Sequence, residues 1–159
     1  MATWAMARWP SCERHEQMST LANSIAKPIV QPSPMTQAFW DTAAQGRLVL
    51  QTCTACGTIR HYPRLLCTHC YSQDYFWKDS PGLGAVHSWT HCHHAFHPGF
   101  ASELPYTLVT VDLDEGVRSL GIWKDDDQLA IGKRVQGRYD SSRGSLDWLI
   151  EPVLGYVLE

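Results

Sequence analysis

Four cysteines constrain this chain more than any other feature of its sequence. They form two Cys-x-x-Cys pairs separated by ten residues: Cys53, Cys56, Cys67 and Cys70. Two pairs at this spacing supply the four thiolates of a tetrahedral metal site. Zinc is the expected ion, iron can use the same ligands, and the remaining alternative is four unliganded thiols. Because four sulfurs leave no position for water or substrate, we expect the metal to stabilise the fold rather than to catalyse a reaction.

The residues around the cysteines predict a zinc ribbon, in which short strands lead into and out of two tight metal-binding turns, here called knuckles. Leu48–Thr52 is the predicted leading strand, Ile59–Pro63 the return strand and Tyr75–Lys78 a third strand. Gly57 gives the first knuckle the conformational freedom that it needs. The second knuckle departs from this pattern, since Tyr71 stands at the corresponding position.

A short helix is predicted just before the ribbon. Ser33-Pro34 is typical of a helix start and Gly46 of a helix end. Phe39 and Ala43 recur at the four-residue spacing of one helical face, with Trp40 alongside. We expect this face to be buried, either on the chain's own ribbon or in a partner subunit.

Strand signals at short intervals after the ribbon predict a small β-barrel. Five strands follow without a long helix between them, and Asp114-Glu115-Gly116 is a predicted hairpin turn. Five strands of this kind favour the OB-fold, while periodicity alone does not select its topology. The predicted strands are Val86–His94, Tyr106–Leu113, Val117–Trp123, Arg134–Tyr139 and Val153–Leu158.

The chain is therefore predicted to be mainly β and to have three parts. These are a disordered leader over residues 1–33, the helix and zinc ribbon over 34–80, and the barrel over 81–159. Met18 offers a second start of translation, in which case residues 1–17 are an upstream extension. The leader has no continuous apolar region before a cleavage site, so we predict no secretory signal, and reduced cysteines fit the cytoplasm.

Charge argues against a chain that mainly binds nucleic acid. The net charge is -3 at pH 7, whereas domains that bind phosphate backbones usually carry a strong basic excess. Val86–Gly116 contains four acidic residues and no lysine or arginine, unlike the basic groove of a single-strand binder. Zinc ribbons and OB-folds both occur in such proteins, so binding of single-stranded nucleic acid is the alternative function.

Several motifs occur together in one order along the chain. They are the Phe39-Trp40 helix, the two knuckles and the segments Gly46–Cys53, Gly84–Thr90, Ala95–Pro98, Leu104–Tyr106, Val111–Arg118 and Ile131-Gly132. Over about residues 36–139 the chain resembles a family of small proteins that join a rubredoxin-like zinc ribbon to an OB-fold. This family is a domain of unknown function associated with acyl-CoA metabolism. His87 and His91-Cys92 depart from its pattern, and the hydratase domain of some relatives is absent from this sequence.

The resemblance implies the role of a partner subunit. Members of the family form complexes with thiolase-superfamily enzymes: thiolases, acyltransferases such as hydroxymethylglutaryl-CoA synthases, and the lipid-transfer-protein-like aldolases of steroid side-chain breakdown. In such complexes the partner carries the nucleophile, while the ribbon and barrel bind coenzyme A (CoA) or bridge subunits. The implied function is a non-catalytic acyl-CoA-binding or bridging subunit of a hetero-oligomer, inactive alone and required by its partner in lipid or steroid metabolism.

Two sets of residues are predicted to make these contacts. The ribbon from Gly46 to Tyr71 has three arginines and no acidic residue, a patch of about +1 once a metal–thiolate centre of about -2 is counted. The predicted CoA-binding residues are Arg47, Arg60, Arg64 and His93. The predicted aromatic anchors for a partner are Phe39, Trp40, Phe96, Phe100 and Tyr106. No catalytic residue is predicted in this chain.

Other groups have competing interpretations. His87–His97 contains five histidines. Two of them are separated by one residue, so on a strand they would lie on the same face and can bind one metal ion. The alternative is that these histidines form a polar loop face. Cys92 is disfavoured as a nucleophile because adjacent strand residues point to opposite faces, away from a common base. Asp125–Asp127 is interpreted as a solvated turn. Arg118 is either a ligand for phosphate or carboxylate or an exposed strand residue.

Overall fold

The computed structural model describes residues 26–124, 128–142 and 145–153, which are called the described residues below. They form a short helix, a three-stranded sheet and a closed five-stranded barrel. No helix in this part of the chain is long and apolar enough to cross a membrane. The mainly β fold class predicted from the sequence is confirmed, whereas most of the predicted leader, residues 1–25, lies outside the described residues.

Helix α1 spans Gln37–Ala43 and is shorter than predicted. A hydrogen-bonded turn that begins at Ser33 precedes it, so this residue does not start the helix itself. Phe39 and Ala43, one turn apart, lie on the buried face, each 1% exposed. Gly46 follows with a φ of +79°, a left-handed conformation in which glycine has no steric penalty, and it redirects the chain into the ribbon.

The ribbon sheet has three antiparallel strands in the order β2-β1-β3. They are β1, Leu48–Cys53; β2, Ile59–Arg60; and β3, Tyr75–Ser80. Strand β1 is central, and every one of its residues is buried. Strand β2 is shorter than the predicted return strand, because Pro63 has no amide hydrogen and the Arg64 amide bonds to the side-chain oxygen of Gln51 at 2.8 Å instead of to a strand.

The barrel closes in the order β4-β5-β6-β8-β7, with β7 returning to β4. Its strands are β4, Leu83–Cys92; β5, Tyr106–Leu113; β6, Arg118–Trp123; β7, Arg134–Asp140; and β8, Asp147–Pro152. All pairs are antiparallel except β6 and β8, which run parallel. The hairpin turn ends at Gly116, whose amide donates to the Leu113 carbonyl at 2.9 Å. This is the five-stranded Greek-key arrangement of an OB-fold.

The fifth strand is not where the sequence predicted it. It is Asp147–Pro152 rather than Val153–Leu158, and residues 154–159 lie outside the described residues. The run Trp148-Leu149-Ile150 is buried at each position and so has no alternation of apolar and polar residues. A strand that is buried on both faces has a continuous run of apolar residues. A search for alternating apolar and polar residues does not detect such a strand.

Trp148 fills the space above three glycines. A Cβ atom added to Gly137 would lie 2.2 Å from Cζ2 of Trp148, one added to Gly121 would lie 2.6 Å from Cδ1, and one added to Gly82 would lie 3.1 Å from Cη2. The indole therefore packs directly on backbone of the barrel and of the segment that leads into it. Glycine is required at these positions because a side chain would occupy the space of the ring.

The ribbon and the barrel share one hydrophobic core. Phe39 of α1 packs edge-on against Tyr139 of β7, with ring centroids 6.0 Å apart. Tyr139 in turn contacts Trp148 with centroids 4.7 Å apart. The buried cluster continues from Leu50 of β1 to Val109 of β5, so the two units are held by apolar contacts as well as by the chain connection.

Part of the β4–β5 hairpin extends beyond the barrel wall. Strand β4 pairs with β7 only from Leu83 to Ala85, and a bulge between Val86 and Ser88 follows. From there to Cys92 its pairing partner is β5. We call Ser88–Leu108 the arm; it contains the turn of 3-10 helix Pro98–Glu103 and four of the eight histidines of the chain.

We predict that Gly137→Ala destabilises the barrel by about 3 kcal/mol, because the new methyl group overlaps the Trp148 ring and one of them must move. The neighbouring Arg138→Ala, which removes only an exposed ion pair with Glu151, is expected to cost less than about 1 kcal/mol. Urea denaturation of both variants measures the difference. Equal stability of the two variants would contradict this account of Trp148.

Candidate metal centre and interaction surfaces

The two knuckles have the same backbone geometry. The amide of Cys53 donates to Thr58 at 3.0 Å, and the amide of Gly57 donates back to Cys53 at 3.0 Å. In the second knuckle Cys67 donates to Ser72 at 2.9 Å and Tyr71 donates back to Cys67 at 3.0 Å. Gly57 and Tyr71 both have positive φ, +74° and +60°. The second knuckle thus imposes on a tyrosine the conformation that a glycine provides in the first.

These turns bring the four predicted thiols together. The Sγ atoms of Cys53, Cys56, Cys67 and Cys70 all lie within 4.8 Å of one another. Cys53 and Cys70 are 3.6 Å apart, as are Cys56 and Cys67, so each close pair joins one knuckle to the other. Tetrahedral zinc with bonds of about 2.3 Å requires sulfurs about 3.8 Å apart. The donor set and its spacing therefore fit zinc, and no disulfide links these cysteines.

The ionisation of the thiols explains why a cation belongs here. A hydrogen bond with the Thr58 hydroxyl, 3.1 Å from Sγ, is the main cause that lowers the pKa of Cys56 to about 5. A hydrogen bond with the Ser72 backbone also lowers the pKa of Cys70. Contact with the Cys56 thiolate and desolvation have the larger combined effect and raise the pKa of Cys70 to about 12. Neighbouring thiols thus oppose each other's ionisation, and a divalent cation removes that conflict.

The predicted CoA-binding arginines occupy two separate places. Arg60 is 4% exposed and lines a cavity of about 180 Å³ together with Arg64. Arg118 of the barrel lines the same cavity. Arg47 instead pairs with Asp79 beside a different cavity of about 470 Å³, between β1, β3 and β7. The sequence leaves Arg118 open as a ligand for phosphate or carboxylate. His61 and Thr68 also line the smaller cavity, and no sequence pattern indicates a binding role for them.

The histidines of the arm are dispersed rather than clustered. The Nδ1 atom of His91 lies 2.8 Å from the Thr107 hydroxyl, and that of His97 accepts from the Gly99 amide at 3.1 Å. The ring of His94 packs edge-on against Phe96, and His93 is exposed. Among the described residues, the four cysteines are the one group of three or more potential ligands close enough to hold an ion.

The aromatic anchors predicted for a partner differ in their exposure. Phe39 is buried in the core of this chain, which corrects its assignment as an anchor for a partner; its ring packs against Tyr139 and against Trp77, 6.2 Å away. Trp40 is half-buried. Phe96 is 87% exposed at the tip of the arm.

The other two predicted anchors are half-buried and adjacent. Phe100 and Tyr106 lie 6.5 Å apart, where the loop of the arm meets the start of β5. Lys27 covers Phe100 with its ammonium group 5.2 Å from the ring centroid and forms an ion pair with Glu103. Lys27, which belongs to the predicted leader, therefore has defined contacts with the arm. Cys92 is half-buried on β4, and Asp125–Asp127 lies outside the described residues.

We predict one zinc ion per chain, and loss of the ion in Cys53→Ser, because a ribbon this small folds together with its metal. The matched control is Cys92→Ser, which alters a cysteine outside the cluster and is expected to retain the metal. Elemental analysis, which also separates zinc from iron, measures the content, and near-UV circular dichroism reports the fold. A folded ribbon with substoichiometric metal would contradict the prediction.

Two families of protein domains match this chain. Residues 40–75 match the rubredoxin-like zinc ribbon domain of ChsH2, and residues 77–140 match the C-terminal OB-fold domain of ChsH2. The first segment contains the four cysteines and the second runs from β3 into the last residue of β7. The matches therefore coincide with the two structural units.

Individual proteins are also similar to this chain. A curated protein from Thermomonospora curvata, described as a probable enoyl-CoA hydratase alpha subunit, is 40% identical over 115 residues. The alignment covers 70% of this chain and 33% of that protein, so the chain spans about a third of the length of this relative. A solved DUF35-family protein of unknown function from Sulfolobus solfataricus is 15% identical, with a TM-score of 0.51 over 89% of this chain and 98% of that one, and has the same fold.

A solved structure with higher identity covers both units. It is a chain of an Ltp2-ChsH2(DUF35) aldolase, which is 32% identical to this chain with a TM-score of 0.66. The alignment covers 79% of this chain and 98% of that chain. With its closed four-cysteine centre and its OB-fold barrel, this chain belongs to the ChsH2 (DUF35) family.

Proposed function

We propose that this chain is a non-catalytic accessory subunit of a cytoplasmic acyl-CoA enzyme, in which a thiolase-superfamily partner carries out the chemistry. The observation that carries the proposal is the 32% identity to nearly the whole of a chain from an aldolase named after both Ltp2 and ChsH2. The relative described as a hydratase subunit supports the same class of assembly. The specific reactions under this proposal are those of a thiolase, an acyltransferase or a steroid side-chain aldolase.

The metal centre supports an accessory role. Four thiolates fill the coordination sphere of a tetrahedral ion, so the centre cannot polarise a thioester carbonyl or activate water. Its chemistry is structural. A nucleophile or base for an acyl-CoA substrate must then come from another group, and a partner active site is the source that this proposal names.

The arm supplies a surface suited to a partner. Phe96 at its tip is 87% exposed, and Trp89 on β4 is 37% exposed. Large aromatic side chains dominate interface energies when a partner buries them. Because the arm extends beyond the barrel wall, a partner can enclose it from more than one side without disturbing the shared core.

The acyl-CoA ligand belongs to this proposal as well. Arg47 at the larger cavity and His93 on the arm are exposed and can reach a ligand shared with a partner. Arg60 and Arg64 face the smaller cavity, which accepts only a small part of a CoA molecule. The proposed binding mode is therefore split between this chain and its partner.

We predict that Phe96→Ala weakens complex formation about 30-fold, since an aromatic anchor contributes roughly 2 kcal/mol or more at an interface. The matched control is Phe76→Ala, which removes a 49% exposed phenylalanine from the ribbon and is expected to leave the affinity unchanged. Affinity purification of the tagged chain from its source cells, followed by mass spectrometry, identifies the partner, and titration with that protein measures the affinity. Both variants should retain full metal.

Two results would contradict the proposal. The first is recovery of no thiolase-superfamily protein. The second is tight binding of single-stranded oligonucleotides near physiological salt, with affinity falling steeply as salt rises, which is the behaviour of the alternative nucleic-acid-binding class.

We also predict that the isolated chain does not turn over acyl-CoA, while the partner loses most of its activity without it. The physical reason is that the closed metal centre supplies neither a Lewis acid nor a bound hydroxide. Thiolase, aldolase and thioesterase assays of the chain, the partner and the complex test this. Turnover by the chain alone that a point substitution within it abolishes would refute the accessory role.

A further inference from the structure

The cavity that Arg60 and Arg64 line lies where the ribbon meets the barrel. Its volume is about 180 Å³, and its wall comes from β2, from the loop to the second knuckle and from the start of β6. The residues that line it are Ile59, Arg60, His61, Arg64, Thr68, Val117 and Arg118. Three of these carry positive charge and none is acidic.

Arg60 is a buried cation, and no carboxylate of the described residues accepts a hydrogen bond from it. One guanidinium nitrogen, Nη1, donates to the Arg64 carbonyl at 3.3 Å, and the group lies over the Tyr75 ring, 5.6 Å from its centroid. Its Nε and Nη2 atoms are buried and have no hydrogen-bond partner among the described residues. A buried charge that keeps unpaired donors is costly, and proteins normally pair such a group with an anion.

The other polar groups of the cavity do not neutralise this charge. The Nε2 atom of His61 is also buried and has no hydrogen-bond partner in the part of the chain that the structure describes. Burial lowers the pKa of this histidine to about 4, so the ring is neutral at pH 7. The Arg118 Nε atom donates to Asp112 at 2.7 Å, which leaves the far side of its guanidinium for another acceptor. Asp112 does not itself line the cavity.

We propose that this cavity is an anion site that takes one phosphate group. Arg60 forms its floor, Arg64 and Arg118 form its rim, and the guanidinium donors supply the forked geometry that phosphate oxygens accept. Ligand pockets for whole molecules measure roughly 300–1,000 Å³, so a cavity of about 180 Å³ suits a single phosphate group. Since Arg118 belongs to the barrel and the other two to the ribbon, the bound group bridges the two units.

The phosphate has two possible sources, a phosphate of CoA and free inorganic phosphate. The first source rests on the proposed acyl-CoA function, whereas the site itself rests only on the contacts within this chain. The phosphate site and the acyl-CoA function can therefore be disproved independently. A chain without a thiolase-superfamily partner can still bind phosphate here, and a chain that binds its partner can lack the site.

Titration of the metal-loaded, full-length chain with inorganic phosphate tests the site directly. Amide chemical shifts in ¹H–¹⁵N spectra should change saturably at residues 59–68 and 117–118. Arg64→Gln and Arg118→Gln should each weaken phosphate binding about tenfold, since each removes a charge-assisted hydrogen bond. The matched control is Arg138→Gln: Arg138 and Arg118 are both 57% exposed and both ion-paired, and Arg138 lies outside the cavity. The control should bind phosphate like the unmodified chain.

Arg60 is tested by two substitutions, because the buried side chain also packs on Tyr75. Arg60→Gln should abolish saturable binding, and Arg60→Lys, which keeps the charge and loses the fork, should restore part of it. If Arg60→Gln does not fold, phosphate binding by Arg64→Gln and Arg118→Gln decides whether the site exists. The proposal is overturned if phosphate causes no saturable shifts, if Arg138→Gln weakens binding as much as the rim variants, or if Arg60→Gln loses metal while the rim variants bind phosphate normally.

Competition then identifies the source of the phosphate. CoA that displaces inorganic phosphate, with 3′-dephospho-CoA failing to do so, supports the site and assigns it to the 3′-phosphate. Equal displacement by both compounds supports the site and assigns it to the diphosphate. Displacement by neither supports a site for free phosphate.

Discussion

Four thiols held within 4.8 Å of one another cannot all ionise unless a cation lies between them, and the ribbon is organised around that constraint. The knuckle hydrogen bonds place Cys53 against Cys70 and Cys56 against Cys67, so each half of the ribbon is joined to the other through the centre. Strand β1 ends at Cys53 and is buried along its whole length. The metal centre and the packing of β1 therefore depend on each other.

The shared core extends this dependence to the barrel. Phe39 contacts Tyr139, and Tyr139 contacts Trp148, so a chain of aromatic contacts runs from the helix beside the ribbon to the fifth barrel strand. Rigid packing of this kind fixes the distance between groups carried by different units. Arg60 from the ribbon and Arg118 from the barrel consequently face one cavity although 57 residues of sequence lie between them.

Features with a local physical cause could be predicted from the sequence. The metal ligands follow from cysteine spacing, the turn before β6 from Gly116, and four of the five barrel strands from their alternation. Strand β8 could not be found in this way, because Trp148 and its neighbours are buried on both faces and do not alternate. Nor does sequence tell that Phe39 is in the core while Phe96 is in solvent, or that Arg60 is buried while Arg64 is exposed. Those outcomes depend on which surfaces meet in the folded chain.

The difference between the two knuckles bears on the order in which the ribbon assembles. Gly57 reaches its left-handed conformation without steric cost, whereas Tyr71 does so at a cost of about 1 kcal/mol, with 75% of its side chain exposed and thus little packing to offset it. A newly synthesised chain should accordingly capture its ion first with Cys53 and Cys56 and close the second pair afterwards. In the reverse direction, a chelator should meet a centre that opens first at the second knuckle, because the strained residue lies there.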